Sequence, residues 1–156
     1  MKRLRSDEES ILFQLSTREC DAFRETLGSY PAVPPAHHSL SKELKDGRIR
    51  ECQRLLDEAL AEQRAANASH LQAWLAVPDR FQKHKTGYRL TVPWADCEWL
   101  LQVLNDVRVG HWLRLGSPEP AVLKPHNLDA AQVRDWMIME LSGYFQMSIL
   151  EALATN

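Results

Sequence analysis

The sequence predicts a mainly α protein of the α+β class: a bundle of about four to five helices with a small two-stranded β pairing. Three observations predict it. Long stretches repeat apolar residues at three- and four-residue spacing, as a helix with one buried stripe requires. Only two short segments, 11–16 and 88–92, alternate with period two. Two capping-box spacings, a polar residue followed three positions later by Glu or Gln, stand ahead of helical stretches.

Residues 1–9 are charged and are expected as a flexible tail, leaving 10–156 as a single globular domain. ILFQLS (11–16) reads as a strand. Ser16 and Glu19 then stand at capping-box spacing, so a helix is expected from Thr17 to about Leu27, stopping near Gly28. SYPAVPPAHHS (29–39) is a loop, because its prolines fix φ and remove donors. Its His37 and His38 have no Cys, Asp or Glu at ligand spacing, so no metal is expected.

Ser41 can cap a long amphipathic helix from Lys42 to about Leu75, with Gly47 and Asn67 as candidate breaks. Ile49, Cys52, Leu56, Ala59, Ala66, Leu71 and Trp74 form its apolar side, and Arg50, Arg54, Asp57, Glu58 and Glu62 its solvated side. FQKHKTGYRLTVP (81–93) reads as a strand through the alternation Tyr88, Leu90, Val92. Segments 13–16 and 88–91 share a pattern, and each leads into a helix, so the two strands are expected to pair. Pro93 fits the first turn of a helix that continues to Leu115. A second Pro-rich connection, 117–127, precedes the capping-box pair Asp129 and Gln132 and a last helix from Ala130 to about Ala154.

Composition narrows the function classes. At 156 residues, 44% hydrophobic and 26% charged, the chain can bury a core without staples. Net charge is -2, so the basic excess of a nucleic-acid binder is missing and no nucleic-acid partner is expected. No apolar run approaches the ~20 residues of a membrane span. The start MKRLRSDEES lacks the apolar core of a signal peptide, and Cys20, Cys52 and Cys97 are far apart and read as buried thiols, so a cytoplasmic protein is expected. There is no Gly-rich phosphate loop, Cys pair, HExxH or GxSxG, hence no expected cofactor, metal or catalytic residue.

The unusual stretch is LNDVRVGHWLRLG (104–116). On a helical projection His111 falls on the apolar side made by Leu100, Leu104, Val107 and Leu115, with Arg108 and Arg114 on its flanks. Buried charges need partners. On the last helix Glu140, Tyr144, Met147 and Glu151 share one edge, so Glu140 or Glu151 is expected to meet Arg108 or Arg114 across an antiparallel pair. Asn105 and Asp106 are expected to face outward or to cap a neighbouring loop. The cluster is then either a polar lock between two core helices or a site for an anion or carboxylate built from Arg108, His111, Arg114 and Glu140.

Leu104-Asn105-Asp106-x-Arg108 followed by Arg114-Leu115-Gly116 resembles the LNDxR…RLG signature of an uncharacterised bacterial family, domain of unknown function two thousand and seventeen, best populated in actinobacteria. Tyr144-Phe145-Gln146 with Ile149, Leu150 and Leu153 is similar to that family's closing helix. The likeness spans residues 99–116 and 144–153, and Asn105, Asp106, Gly116 and Gln146 are its signature positions. The chain departs from the pattern at Tyr144-Phe145, where a Trp is usual, and at Gly110-His111-Trp112, so the resemblance assigns His111 no role. It implies no activity or cofactor. Genes of the family often lie beside that of the ClpS adaptor, which delivers substrates to the Clp protease, so it implies a link to regulated proteolysis.

The expected function is therefore a non-catalytic protein-interaction or regulatory module with a protein partner or a second copy of itself. Trp94, Trp99, Trp112 and Trp136 are candidates for its contact surface, although aromatic residues at helical spacing are more often core. The alternatives are the small-anion binder above and a small hydrolase using His111 with Glu140.

Overall fold

A computed structural model describes residues 1–38, 47–119 and 127–155. In chain order these form β1 (Lys2–Ser6), β2 (Ser10–Leu15), α1 (Thr17–Gly28), a 3-10 turn (Pro35–His38), α2 (Gly47–Ala76), β3 (Phe81–His84), β4 (Gly87–Pro93), α3 (Trp94–Arg114) and α4 (Ala130–Ala154). The expected cap at Ser41, and most of the Pro-rich connection 117–127, lie outside the described residues.

The strands correct the predicted bundle. They form a four-stranded antiparallel sheet in the order β1-β2-β4-β3, not a two-stranded pairing. The expected pair is its centre, with Ile11 opposite Val92, Phe13 opposite Leu90 and Leu15 opposite Tyr88. The segment expected as a tail supplies β1, which runs alongside β2 with a bulge between Arg3 and Arg5. The segment 81–93 is a hairpin and not one strand. Its turn ends at Gly87, whose φ is +138° and where a Cβ would lie 2.1 Å from the Leu15 carbonyl oxygen, so only glycine fits.

Ile11, Phe13, Leu15, Phe81, Leu90 and Val92 point to one side of the sheet and are buried there. Against them pack Phe23 and Leu27 of α1, Leu100 and Leu104 of α3, and Phe145 and Ile149 of α4. Phe23 sits at the junction, its ring centre 4.8 Å from that of Phe145 and 6.3 Å from that of Phe81. The result is two layers, helices over one sheet face.

Local chemistry starts two of these helices where the sequence placed them. Ser16 and Glu19 complete a capping box on α1, and Asp129 and Gln132 complete one on α4. Helix α2 passes Asn67 unbroken but leaves the core over most of its length. Only Leu71 and Trp74 near its end are buried, while Cys52, Ala59 and Ala66, expected on its apolar side, are exposed. Its exposed stretch is braced by Arg54, which bonds Glu51 and Glu58 at 2.6 Å each. Its C-terminal end is docked by polar contacts: the Trp74 indole donates to Asp96 at 2.8 Å, and the Trp99 indole to Asn67 at 3.2 Å. Arg80, just beyond it, is buried over the Trp74 ring and donates to the Thr91 carbonyl at 3.0 Å.

Candidate functional site

Helices α3 and α4 run antiparallel, bringing His111 near Asp135 at one end and Leu101 near Gln146 at the other. His111 is 2% exposed and its Nδ1 lies 2.6 Å from Asp135 Oδ1. Arg114 Nη1 approaches the same carboxylate oxygen at 3.6 Å, from a half-exposed position. The carboxylate of this cluster is thus Asp135, and neither Glu140 nor Glu151 takes part. Glu140 and Glu151 are both exposed, on the far side of α4. Arg108 is exposed as well and runs over Gly143, with no ion pair among the described residues. Of the four residues proposed as an anion site, the fold brings together His111 and Arg114 and separates Arg108 and Glu140 from them.

Burial lowers the His111 pKa. The bond to Asp135 works against this, and the Arg114 charge adds to it. The ring is therefore neutral, with the Nδ1 proton donated to Asp135. Asp135 holds the imidazole in one tautomer, as a carboxylate does in an acid–base pair. Yet Nε2 is buried with no partner, and His111 lines none of the clefts described below. This arrangement orients two helices and presents no base to solvent.

Asn105, Asp106, Gly116 and Gln146 have their own places. Asp106 Oδ1 accepts from the backbone N–H of Ala32 at 2.6 Å and of Val33 at 3.3 Å, and so ties the Pro-rich loop to α3. Gly110, one turn on, lets that loop come close, since a Cβ there would lie 2.3 Å from the Ala32 carbonyl carbon. Gly116, at φ +83°, ends the α3 turn with its N–H on the Leu113 carbonyl at 3.0 Å. Gln146 donates to the Leu101 carbonyl at 3.3 Å and joins α4 to α3. Exposed Asn105 lines a cleft of about 500 Å³ with Val33, His37, Glu98, Gln102 and Asp106. A smaller cleft of about 150 Å³ shares Gln102 and Asp106 with it and includes Tyr30, Arg64 and Asn67.

Compared with family models, curated proteins and solved structures, the chain has no match. Its chemistry is therefore read from its own residues. Among the described residues, no three His, Cys, Asp or Glu side chains gather as a metal-binding group. None of their helices is long and apolar enough to cross a membrane.

The remaining feature is the outward face of α4. Met137, Tyr144, Met147 and Leu150 are 50%, 44%, 55% and 46% exposed, and Glu140 and Glu151 lie among them. The opposite face, with Ile138, Ser142, Phe145, Ile149 and Ala152, is buried in the core. A helix apolar on both faces is built to be covered on both. Tyr144 is steadied by its hydroxyl, which donates to Glu19 at 2.7 Å. The tryptophans contribute less to this surface. Trp94, Trp99 and Trp136 are half-buried, and Trp112, the most exposed, donates its indole N–H to the Pro118 carbonyl at 3.0 Å.

Proposed function

We propose that this protein is a non-catalytic interaction module that docks a helix of a partner protein on the outward face of α4. The observation that carries the reading is the run Met137, Tyr144, Met147 and Leu150 on that face, in a chain whose other large apolar side chains mostly pack inward. Unbranched methionines suit such a surface, because they adapt to the shape of what they meet. The charges within the run, Glu140 and Glu151, are both acidic, so the partner helix carries apolar residues at helical spacing flanked by Lys or Arg. The resemblance of residues 99–116 and 144–153 supports placing that partner in regulated proteolysis. Three free cysteines support a reducing, cytoplasmic setting.

The test is comparative capture. The tagged protein and a Met147→Asp/Leu150→Asp variant are used in parallel on cell extract, and the partner found is then titrated directly as a peptide. Expected is a stoichiometric partner lost with the variant, whose binding segment is a basic-flanked amphipathic helix. Equal capture by both proteins would overturn the reading. So would a doubled mass in light scattering that the variant abolishes, which would make the occupant a second copy of the chain.

A further inference from the structure

The whole-chain charge of -2 conceals a segregation. The four strands carry five Lys or Arg, namely Lys2, Arg3, Arg5, Lys83 and Arg89, and no Asp or Glu. All 21 acidic residues lie elsewhere. The helices cover one side of the sheet, and the pairing register shows what the other side presents. One row across it reads Lys2, Gln14, Arg89, Gln82, and the next reads Arg5, Leu12, Thr91. The adjoining turn adds exposed Lys85, and Thr86, which accepts from the Gln14 amide at 2.7 Å.

These cations are not consumed within the fold. Lys2, Lys85 and Arg89 have no ion pair among the described residues, and the buried Nε of Arg89 has no hydrogen-bond partner. Arg5 lies within reach of the Asp7 charge at the edge of the patch. Lys83, in register with Tyr88 and Leu15, lies on the helix side of the sheet, and Arg3 shows the same sorting. It turns to the helix side, where it bonds Ser6 Oγ at 2.6 Å and the Ala152 carbonyl at 3.3 Å near the end of α4.

We propose that this open face of the sheet binds the phosphate backbone of single-stranded nucleic acid without reading its sequence. Lys and Arg neutralise phosphates, while amides and hydroxyls such as Gln14, Gln82 and Thr91 hydrogen-bond phosphate and sugar oxygens. Strands about 4.8 Å apart place Lys2 and Arg89, two strands from one another, about 10 Å apart on a shallow surface that a pliable single strand can follow. Among the described residues, no helix or ribbon projects from the face to enter a duplex groove. The two rows hold no aromatic residue, so base stacking adds nothing and the binding is weak and sequence-independent. An acidic protein would need apolar anchors, and Leu12 is the one large apolar residue in the two rows.

The test is fluorescence anisotropy of the intact protein with a labelled mixed-sequence RNA and DNA strand. Engaging three or four phosphates predicts that log K falls with log salt at a slope of about -2 to -3, at about -0.7 per contact. A Lys2→Gln/Arg5→Gln/Lys85→Gln variant changes exposed side chains only and keeps Arg89. Its melting curve should match the parent's, its affinity should drop about tenfold or more at low salt, and its slope should fall toward about -1. The proposal is overturned by no binding at low salt, or by a folded variant that binds like the parent. A poly-glutamate peptide of equal charge competing as well as the oligonucleotide would assign the face to an acidic protein and overturn it too.

Discussion

Two glycines in the α3–α4 pair should respond to the same substitution with opposite signs. In a helix interior, Gly→Ala gains about 1 kcal/mol by reducing the freedom of the unfolded chain. At Gly143 that gain is kept, because the added Cβ would meet Arg108 Nε at 3.6 Å, an ordinary contact. Gly143→Ala should therefore stabilise the protein by about 0.5–1 kcal/mol, a rise of ~1–4 °C in Tm for a chain of this size. At Gly110 the Cβ would lie 2.3, 2.4 and 2.5 Å from the carbonyl carbon, Cβ and carbonyl oxygen of Ala32. The loop must retreat by about 1 Å, and overpacking of that kind costs about 1–3 kcal/mol. Retreat also strains the bonds from Ala32 and Val33 to Asp106, and a hydrogen bond to a charged group contributes about 1.5–3 kcal/mol. The helix gain does not offset this, and Gly110→Ala should destabilise by about 1–3 kcal/mol net. Chemical denaturation of both variants reads the sign, and hydrogen exchange at Ala32 and Val33 should speed up in Gly110→Ala alone. A Gly110→Ala protein as stable as Gly143→Ala would refute the close approach of the loop to α3.

The His111–Asp135 pair yields two further expectations. Asp135→Ala leaves a buried N–H without an acceptor and should cost about 1–3 kcal/mol in urea titration, whereas Glu140→Ala, at an exposed position, should stay within about 0.5 kcal/mol. The His111 pKa is held below its ordinary 6.5, so the unfolded chain takes up the proton first as pH falls. Stability should be full above about pH 6.5 and decline as pH drops toward the folded pKa, and His111→Gln should lose that part of the profile; a parent curve flat through this range contradicts neutral burial. The thiols should separate kinetically. Exposed Cys52 should react first with a disulfide reagent, while burial pushes Cys97 up to about 11 and raises Cys20, so both should wait for unfolding. Three equal rates would contradict this.

What could be read in the sequence was local. Ser16 with Glu19 and Asp129 with Gln132 place helix starts because the cap is made within four residues. The central strands announce themselves by alternation, since one side of each is buried. The edge strands do not. In β3 only Phe81 is buried and in β1 no residue is, so Lys2–Ser6 read as a tail. The partner of His111 was out of reach for a different reason. Because α4 carries large apolar residues on both faces, periodicity could not say which edge meets α3, and the edge holding Glu140, Tyr144, Met147 and Glu151 turned out to be the exposed one. The charge sum was silent on position in a similar way, because a total does not show that the strands hold cations alone.

The most direct test of the account is oxidative footprinting of the methionines of α4, on the free protein and on the captured complex. Met137 and Met147 are 50% and 55% exposed, and Met139 is 9% exposed. The account predicts that Met137 and Met147 oxidise readily in the free protein and are protected in the complex, while Met139 reacts slowly in both. A stoichiometric complex in which Met137 and Met147 oxidise as fast as in the free protein would contradict it.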